Sequence, residues 1–426
     1  MFLLRVTFHT LGCKANQADT AYMAALLRER GHTVAEGGEP CEAVVINTCA
    51  VTSEAARKSG QAIRAVKNRN PGAVIAVCGC LKDASGGVSV PGVDLLGGAG
   101  DRAGFILALE RLVSGQAADY TPAATNQWES QGFAEAHEGR ARAYLKIQDG
   151  CRNSCAYCII PKTRGTARSM PPDEALRAAG RLASEGYAEI VLTGIEISSY
   201  DHGLAELAGK LCQAFPGARF RLGSLEPTLI IPETVNALKE LPNLCPHFHL
   251  SLQSGCDATL RRMNRRYDTQ RFAESIDLLR DAFGAPAITT DLICGFPGET
   301  EDEWADTARF IKDAAFAGIH VFPYSRRPGT AAAAMPGQLT AAVKRGRARE
   351  AAAIGRETAR AFRERRVGET LQVLIETIAG GLAHGHSAEY IPVSAAFDAP
   401  PTRGAVAGVV ITGFGEDGAT LEGQAV

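Results

Sequence analysis

The chain has 426 residues, 46% of them hydrophobic and 22% charged, and a formal net charge of −2. That length exceeds one ordinary hydrophobic core, and that composition excludes a disordered or collagen-like chain. No apolar run approaches the roughly 18 to 20 residues of a membrane-spanning helix, and the near-neutral charge requires any RNA contact to come from a local basic patch. The opening MFLLRVTFHTLGC reads as a first β-strand, because alternation continues through Val6 and Phe8 and no small-residue cleavage site follows. A cytoplasmic protein without a membrane partner is the expectation. A helix from Asp19 to Arg30, a strand over AVVINT, a helix from Ser53 to Lys67 and a strand over AVIAV then alternate, which predicts a parallel α/β sheet. A stretch of low hydrophobicity from Gly115 to Gly139 interrupts the pattern as a linker.

From Arg140 six strand-like runs recur between helices: ARAYLKIQ, AEIVLTG, ARFRLGS, HFHLSLQ, AITTDLICG and GIHVFPYS. Six βα units predict a partial parallel barrel, whose ligand site lies at the C-terminal ends of its strands. Cys151, Glu196, Glu226, Gln253, Asp291 and Tyr324 are placed at those ends. A helical stretch from Leu339 to Arg366 carries the local basic surface, and RRMNRR, Arg261 to Arg266, is a second candidate for RNA contact. GFPGET lacks the lysine of a phosphate loop and reads as a turn, with Thr300 capping the next helix and Glu303 completing a capping box. After Gly368 the runs TLQVLIET, EYIPVSA, AVAGVVITGF and ATLEGQ predict a small β-barrel; His384 and His386 are read as loop residues. The expected fold class is therefore α/β: a parallel α/β domain over 1–120, a linker over 121–139, a partial (βα)6 barrel with its trailing basic helix over 140–366, and an all-β barrel over 367–426.

Twelve cysteines are many for a reducing compartment, where a disulfide framework does not explain them, and metal or catalysis becomes the question. In DGCRNSCAYCIIP, Cys151, Cys155 and Cys158 stand at CxxxCxxC spacing after the first barrel strand. Three thiolates on one loop hold three irons of a 4Fe-4S cluster and leave the fourth open to the amine and carboxylate of a ligand. That open iron is what reductive cleavage of S-adenosylmethionine needs, and Tyr157 would lie against the adenine. A zinc site would want a fourth Cys or His nearby, and none follows at the usual spacing. Cys13, Cys49 and Cys80 each follow a strand of one parallel sheet, so they can converge on one crevice; the long separations carry no motif spacing, and buried small hydrophobes are the alternative. Cys41, Cys78, Cys212, Cys245, Cys256 and Cys294 are read as core residues. Gly194, Glu196, Ser224, Glu226 and Gln253, after the second to fourth barrel strands, are candidate contacts to the methionine and ribose parts, with mutual hydrogen bonding as the alternative.

In order and spacing, LGCKANQAD, NTCAVT, GC, DGCRNSCAYCIIPKTRG, LTGIEISSY, GSLEP, HLSLQSG, RMNRRYD, TDLICGFPGET and HVFPYSRRPGT resemble the methylthiotransferase family of radical S-adenosylmethionine enzymes. The C-terminal strands resemble the TRAM module of RNA-binding proteins. The resemblance implies two 4Fe-4S clusters, with Cys13, Cys49 and Cys80 holding the auxiliary one, and S-adenosylmethionine as cofactor. It implies transfer of a methylthio group to carbon 2 of an adenosine 3′ of the anticodon in tRNA, and a low-potential electron donor such as a flavodoxin or ferredoxin. HVFPYSRRPGT, with His320 and Pro323, looks most like the threonylcarbamoyladenosine branch; the isopentenyladenosine branch is the alternative, and an RNA-binding iron–sulfur sensor is the non-enzymatic one. Lys162 and Thr163 replace an aromatic–small pair, Arg326 replaces a proline, and Asp201 stands where glycine is common; the loop from Leu81 to Gly100 is short and glycine-rich. These departures bear on substrate choice.

Overall fold

Apolar β-branched runs alternating with helices build the first unit of this computed structural model, which describes residues 3–36, 38–84, 91–117, 120–121, 128–129, 140–399 and 401–426. It runs β1 (Arg5–Thr10), α1 (Lys14–Glu29), β2 (Thr33–Ala35), β3 (Ala43–Thr48), α2 (Ser53–Arg69), β4 (Val74–Gly79), α3 (Leu81–Ala84), β5 (Leu95–Leu96) and α4 (Arg102–Val113). All pairings are parallel, in the order β2-β1-β3-β4-β5. β3 coincides with AVVINT and is buried along its whole length, as a central strand covered on both faces must be. α1 starts at Lys14 rather than at the expected Asp19, because the Asn16 amide donates to the carbonyls of Leu11 and Thr48 at 2.8 and 2.9 Å and ties the first turn to the strand ends.

The second unit runs β6 (Ala143–Lys146), β7 (Gln148–Asp149), α5 (Ile160–Arg164), β8 (Arg168–Ser169), α6 (Pro172–Ser184), β9 (Glu189–Thr193), α7 (Leu204–Ala214), β10 (Arg219–Leu222), β11 (Ser224–Leu225), α8 (Pro232–Lys239), β12 (His247–Gln253), α9 (Asp257–Arg262), α10 (Thr269–Phe283), β13 (Ala287–Cys294), α11 (Glu301–Asp313), β14 (Gly318–Pro323), α12 (Ala331–Ala334) and α13 (Ala341–Glu364). All six expected barrel strands are present, the third broken at Gly223 into β10 and β11, in two parallel sheets ordered β10-β9-β6 and β11-β12-β13-β14. The core between barrel and helices is apolar: Leu145, Leu192, Phe220, Phe248, Leu250 and Leu292 are almost fully buried. The lumen is not, since β12 and β13 turn His249, Ser251, Gln253, Thr289 and Asp291 to the less buried face. Asp291 lies three residues before the end of β13, deeper than expected. The capping box of Thr300 and Glu303 is present at α11.

The basic helix α13 packs on β14 and α11. Arg347 is buried against Glu299 at 2.7 Å and Glu301 at 2.6 Å, and Arg366 donates to the Ala285 carbonyl, so part of the expected RNA surface serves packing. Arg345, Arg349 and Arg356 remain exposed.

The last unit, β15 (Thr370–Ala379), β16 (Leu382–Ser387), β17 (Pro392–Ala396), β18 (Val406–Phe414) and β19 (Leu421–Ala425), closes as a barrel ordered β15-β16-β17-β19-β18. It has one strand more than the four expected. β16, LAHGHS, escaped because it is polar and carries a glycine, yet it is this strand, not a loop, that holds His384 and His386.

Three contacts seat the units. Among the described residues no strand pairing joins β6 to β14, so the large barrel is open at its side. The first unit closes that opening: Ala18 of α1 packs on Tyr144 and Val191, and at the other lip Ser53 meets Ser325, whose Oγ accepts the Ser53 N–H at 2.9 Å. Beneath the lumen Tyr390 of the small barrel lies between the guanidiniums of Arg142 and Arg221, each 4.9 Å from its ring, and stacks on His386. The expected linker at 121–139 falls largely outside the described residues; within it, Glu129 accepts from Arg102 at 2.8 Å and from the Ala103 N–H at 2.9 Å.

Candidate active site

Gly150 turns the chain sharply at the end of β7, at φ +73, where a Cβ would lie 2.0 Å from the Thr166 carbonyl oxygen. Only glycine fits this left-handed, closely approached position. Cys151 follows, and the loop then winds so that Cys151, Cys155 and Cys158 face one another, closely enough that the neighbouring sulfurs add to the cost of ionising Cys151 and Cys158. Burial pushes the thiol of Cys151 up to about 11 and that of Cys158 up to about 12. The RMNRR segment braces this loop. The Ala156 N–H donates to the Met263 carbonyl at 2.9 Å, the Asn264 amide to Ser154, and Arg265 Nη1 lies 3.1 Å from Cys155 Sγ. Arg265 also pairs with Glu226 at 2.7 Å, and Arg262 with Glu303 at 2.5 Å, so the run expected on RNA sends its middle inward and leaves Arg261 and Arg266 exposed.

Glu226 accepts from Asn153 at 3.0 Å, beside Cys151. Glu196 caps the short turn after β9 through the Ser198 N–H at 3.2 Å; burial, and then the neighbouring Glu226, push its carboxyl up to about 8. Gly194 has no room for a side chain, because a Cβ would lie 2.8 Å from the Gln148 carbonyl oxygen, and that packing accounts for the glycine. Ser224 is exposed and in register with His249.

The first unit presents a second trio. β1, β3 and β4 end level with one another, Thr10 opposite Asn47 and Thr48 opposite Gly79, so Cys13, Cys49 and Cys80 emerge at one sheet edge. A Cβ on Gly12 would stand 3.1 Å from Cys49 Sγ, which shows how close the loops come. Burial pushes the Cys49 thiol up to about 11 and that of Cys80 upward as well. Thr163 and Arg164, on the helix that follows the first cysteine loop, hydrogen-bond to Cys80. Arg164 also holds Asp19 at 3.2 Å and Asp149 at 2.9 Å. Around it four cations, Arg102, Lys146, Arg164 and Arg168, meet three carboxylates, Asp19, Asp149 and Glu129. Each trio therefore combines three sulfurs with a guanidinium beside them, a donor set fit for an anionic metal–thiolate cluster that leaves one metal position free.

Between the trios lies an open cleft of about 760 Å³, its mouth included, lined by Tyr157 and Cys158 on one side, Val51 and Thr52 on the other, and Gln253, Asp291, Ile293, Phe322 and Tyr324 between them. Val51 and Phe322 leave more than two-fifths of their surface exposed there, and Tyr157 stands edge-on to Phe296. Such apolar faces with Gln253 and Asp291 at hand suit a planar, polar-edged base. Gln253 holds a left-handed conformation at φ +68, next to a register shift between β12 and β13. The sequence did not mark Val51, Thr52, Arg164 or Phe322 as site residues, and it placed Arg265 in a run expected on RNA; Val51, Thr52 and Arg164 adjoin cysteine loops, and that adjacency was the available signal.

Two family models match the chain: the Radical SAM superfamily over residues 145–311 and the Uncharacterized protein family UPF0004 over residues 5–89. The threonylcarbamoyladenosine tRNA methylthiotransferase MtaB of Bacillus subtilis is 37% identical over 87% of this chain and 84% of its own length. The tRNA-2-methylthio-N(6)-dimethylallyladenosine synthase of Acidothermus cellulolyticus is 35% identical over 86% of this chain and 76% of its own. In fold, the radical S-adenosylmethionine methyltransferase TsrM of Kitasatospora setae superposes with a TM-score of 0.61 at 11% identity, covering 90% of this chain and 81% of that one. The chain belongs to the methylthiotransferase family of radical S-adenosylmethionine enzymes.

Proposed function

We propose that this enzyme adds a methylthio group to carbon 2 of N6-threonylcarbamoyladenosine 3′ of the anticodon in tRNA. The observation that carries the proposal is the cleft set between the two cysteine trios, with Cys158 in one wall and Thr52, three residues after Cys49, in the other. In this reading Cys151, Cys155 and Cys158 hold one 4Fe-4S cluster, and Cys13, Cys49 and Cys80 hold the other; when bound, the clusters and S-adenosylmethionine supply the radical and sulfur chemistry. The chain's own residues position and shield. Tyr157 and Phe322 take the faces of the base and Gln253 its edge. Glu196, with Glu226 beside it, awaits the methionine amine: the Glu196 carboxyl, held up to about 8, keeps its proton until an ammonium arrives, then ionises against it. Seating of the first unit in the barrel's side opening brings both trios to one cleft and limits water, which would quench a radical. The domain division at 120, 140 and 367 belongs to the same reading, with the small barrel and the exposed arginines of α13 meeting tRNA backbone.

The isopentenyladenosine reaction is the second reading, because relatives bearing that activity in their names match at similar identity. Mass spectrometry of tRNA nucleosides from cells with and without the protein separates the two. Loss of 2-methylthio-threonylcarbamoyladenosine is expected; loss of the isopentenyl form selects the second reading, and no change in either removes tRNA as substrate.

A further inference from the structure

The floor of the cleft is a cluster of charged and polar side chains to which the proposed chemistry gives no role. Neighbouring strands β12, β13 and β14 turn His249, Asp291 and His320 into the lumen, with their ligand atoms within 4.8 Å of one another. His249 Nε2 lies 3.3 Å from Asp291 Oδ2, while its Nδ1 meets Thr289 Oγ1 at 3.0 Å, so that ring is held from both sides. The His320 ring stands 5.6 Å from it and stays accessible from the lumen. Asp291 also lines the cleft, which joins this cluster to the place proposed for the base.

From the opposite side the first residue of α1, Lys14, enters through the barrel's side opening. The described residues give its ammonium no ion-pair or hydrogen-bond partner. What faces it is Arg142, Arg221, His247, His320 and the Tyr390 ring at 5.9 Å; Glu189, the nearest acid on that side, is already held by Arg142, Arg219 and Arg221. A partly buried ammonium facing other cations is costly, and an anion brought by a ligand reverses that cost. An alkenyl substituent placed here would strip water from Lys14, His320 and Asp291 and return nothing to them.

We propose that Lys14, His249 and His320 form a specificity pocket for a carboxylate carried on the N6 substituent of the substrate adenosine, with Asp291 orienting His249 and accepting from the substituent's N–H or hydroxyl. This rests on the tRNA reading above and deepens it: carbon 2 lies on the same edge of the purine as the N6 substituent, so a base held between the trios extends that substituent toward the floor. Lys14 and His320 are specificity residues contributed from two units, which makes the pocket complete only when the first unit is seated.

The test is binding and turnover by the full-length, cluster-loaded enzyme with three anticodon stem-loop RNAs. One bears threonylcarbamoyladenosine, the second its methyl ester, which removes the charge alone, and the third isopentenyladenosine. Wild type is expected to bind the acid roughly tenfold or more tightly than the ester in fluorescence anisotropy. Lys14→Met and His320→Gln bring the acid down to the ester's affinity while the ester's own affinity holds, which shows the variants folded; Lys14→Arg keeps the preference. Equal affinities of wild type for acid and ester overturn the pocket, as does equal weakening of both by the substitutions, even where wild type methylthiolates the acid RNA and the functional reading stands. Turnover of the isopentenyl RNA alone overturns both. One zinc per chain that disappears in His320→Gln also overturns the proposal, by making the floor a metal site.

Discussion

Glu189 is fully buried at the base of the barrel, with Arg221 at 2.9 Å, Arg219 at 2.6 Å and Arg142 at 3.3 Å. Burial alone would raise its carboxyl; the three guanidiniums reverse that and bring it to about 2, from an ordinary 4.5. About 2.5 pH units at 1.36 kcal/mol each is about 3 kcal/mol of folding free energy. Because the folded value is depressed, that contribution is complete above 4.5 and is lost as the pH falls from there toward 2. Glu189→Gln mimics the protonated group, so it is expected to cost about 3 kcal/mol at pH 7 and roughly 1.4 kcal/mol less at pH 3.5. Arg219 and Arg221 also donate to the His386, Ser387 and Ala388 carbonyls of the small barrel, so the loss will be felt where the two barrels meet. Urea unfolding followed by circular dichroism at pH 7 and 3.5, with hydrogen exchange on β10 and β16, measures both parts. A gap below about 1 kcal/mol at pH 7, or one that does not narrow on acidification, refutes the electrostatic account.

Gly150→Ala is expected to displace Cys151 and lower iron content toward half after reconstitution, with the absorption of the auxiliary site retained; full iron content would show that the Thr166 carbonyl can give way. Arg164→Met removes the link that Arg164 makes between Asp19 and Asp149, which Arg102 and Lys146 still hold, and should weaken the seating of the first unit by about 1.5 to 3 kcal/mol, seen as faster limited proteolysis before residue 140; unchanged cleavage would count against the network as the seam. Thr300→Ala removes the side-chain half of the capping box on α11 and should cost about 1 kcal/mol in thermal denaturation, with kinetics unchanged.

Much of this molecule was legible in its residues because local physics decided it. AVVINT opens on an apolar run with three β-branched residues in a row and became a strand buried on both faces; Thr300 and Glu303 stand at the spacing of a capping box and formed one. The CxxxCxxC loop followed a strand as expected. What stayed hidden depends on partners distant in sequence. Arg265 sits in a charged run that reads as surface, and only the fold turns it toward Cys155 and Glu226. Lys14 carries no local mark of its place, since the floor it faces is built from β12, β13 and β14, more than two hundred residues away. β16 was missed because its polar residues answer to Ser394, Glu376 and Tyr390 rather than to an alternating core pattern.

The seam between the first unit and the barrel is ionic where an apolar one would have been cheaper to bury. Lys146 meets Asp19, Arg102 meets Asp19 and Asp149, and Arg164 meets both acids along with Asn16 and Cys80. Apolar packing of equal volume would tolerate small rotations, whereas fixed donors and acceptors accept one register. Register is what the proposed transfer between the two cysteine trios demands, because an error of about 1 Å at the reacting centre costs orders of magnitude in rate. The one cation in excess of the carboxylates sits toward Cys80, where a cluster of thiolates would place negative charge. With the proposed assignment of Cys13, Cys49 and Cys80, seating of the unit and loading of its cysteines are coupled: a filled site would supply the charge the seam lacks, and the closed seam would complete the proposed floor with Lys14.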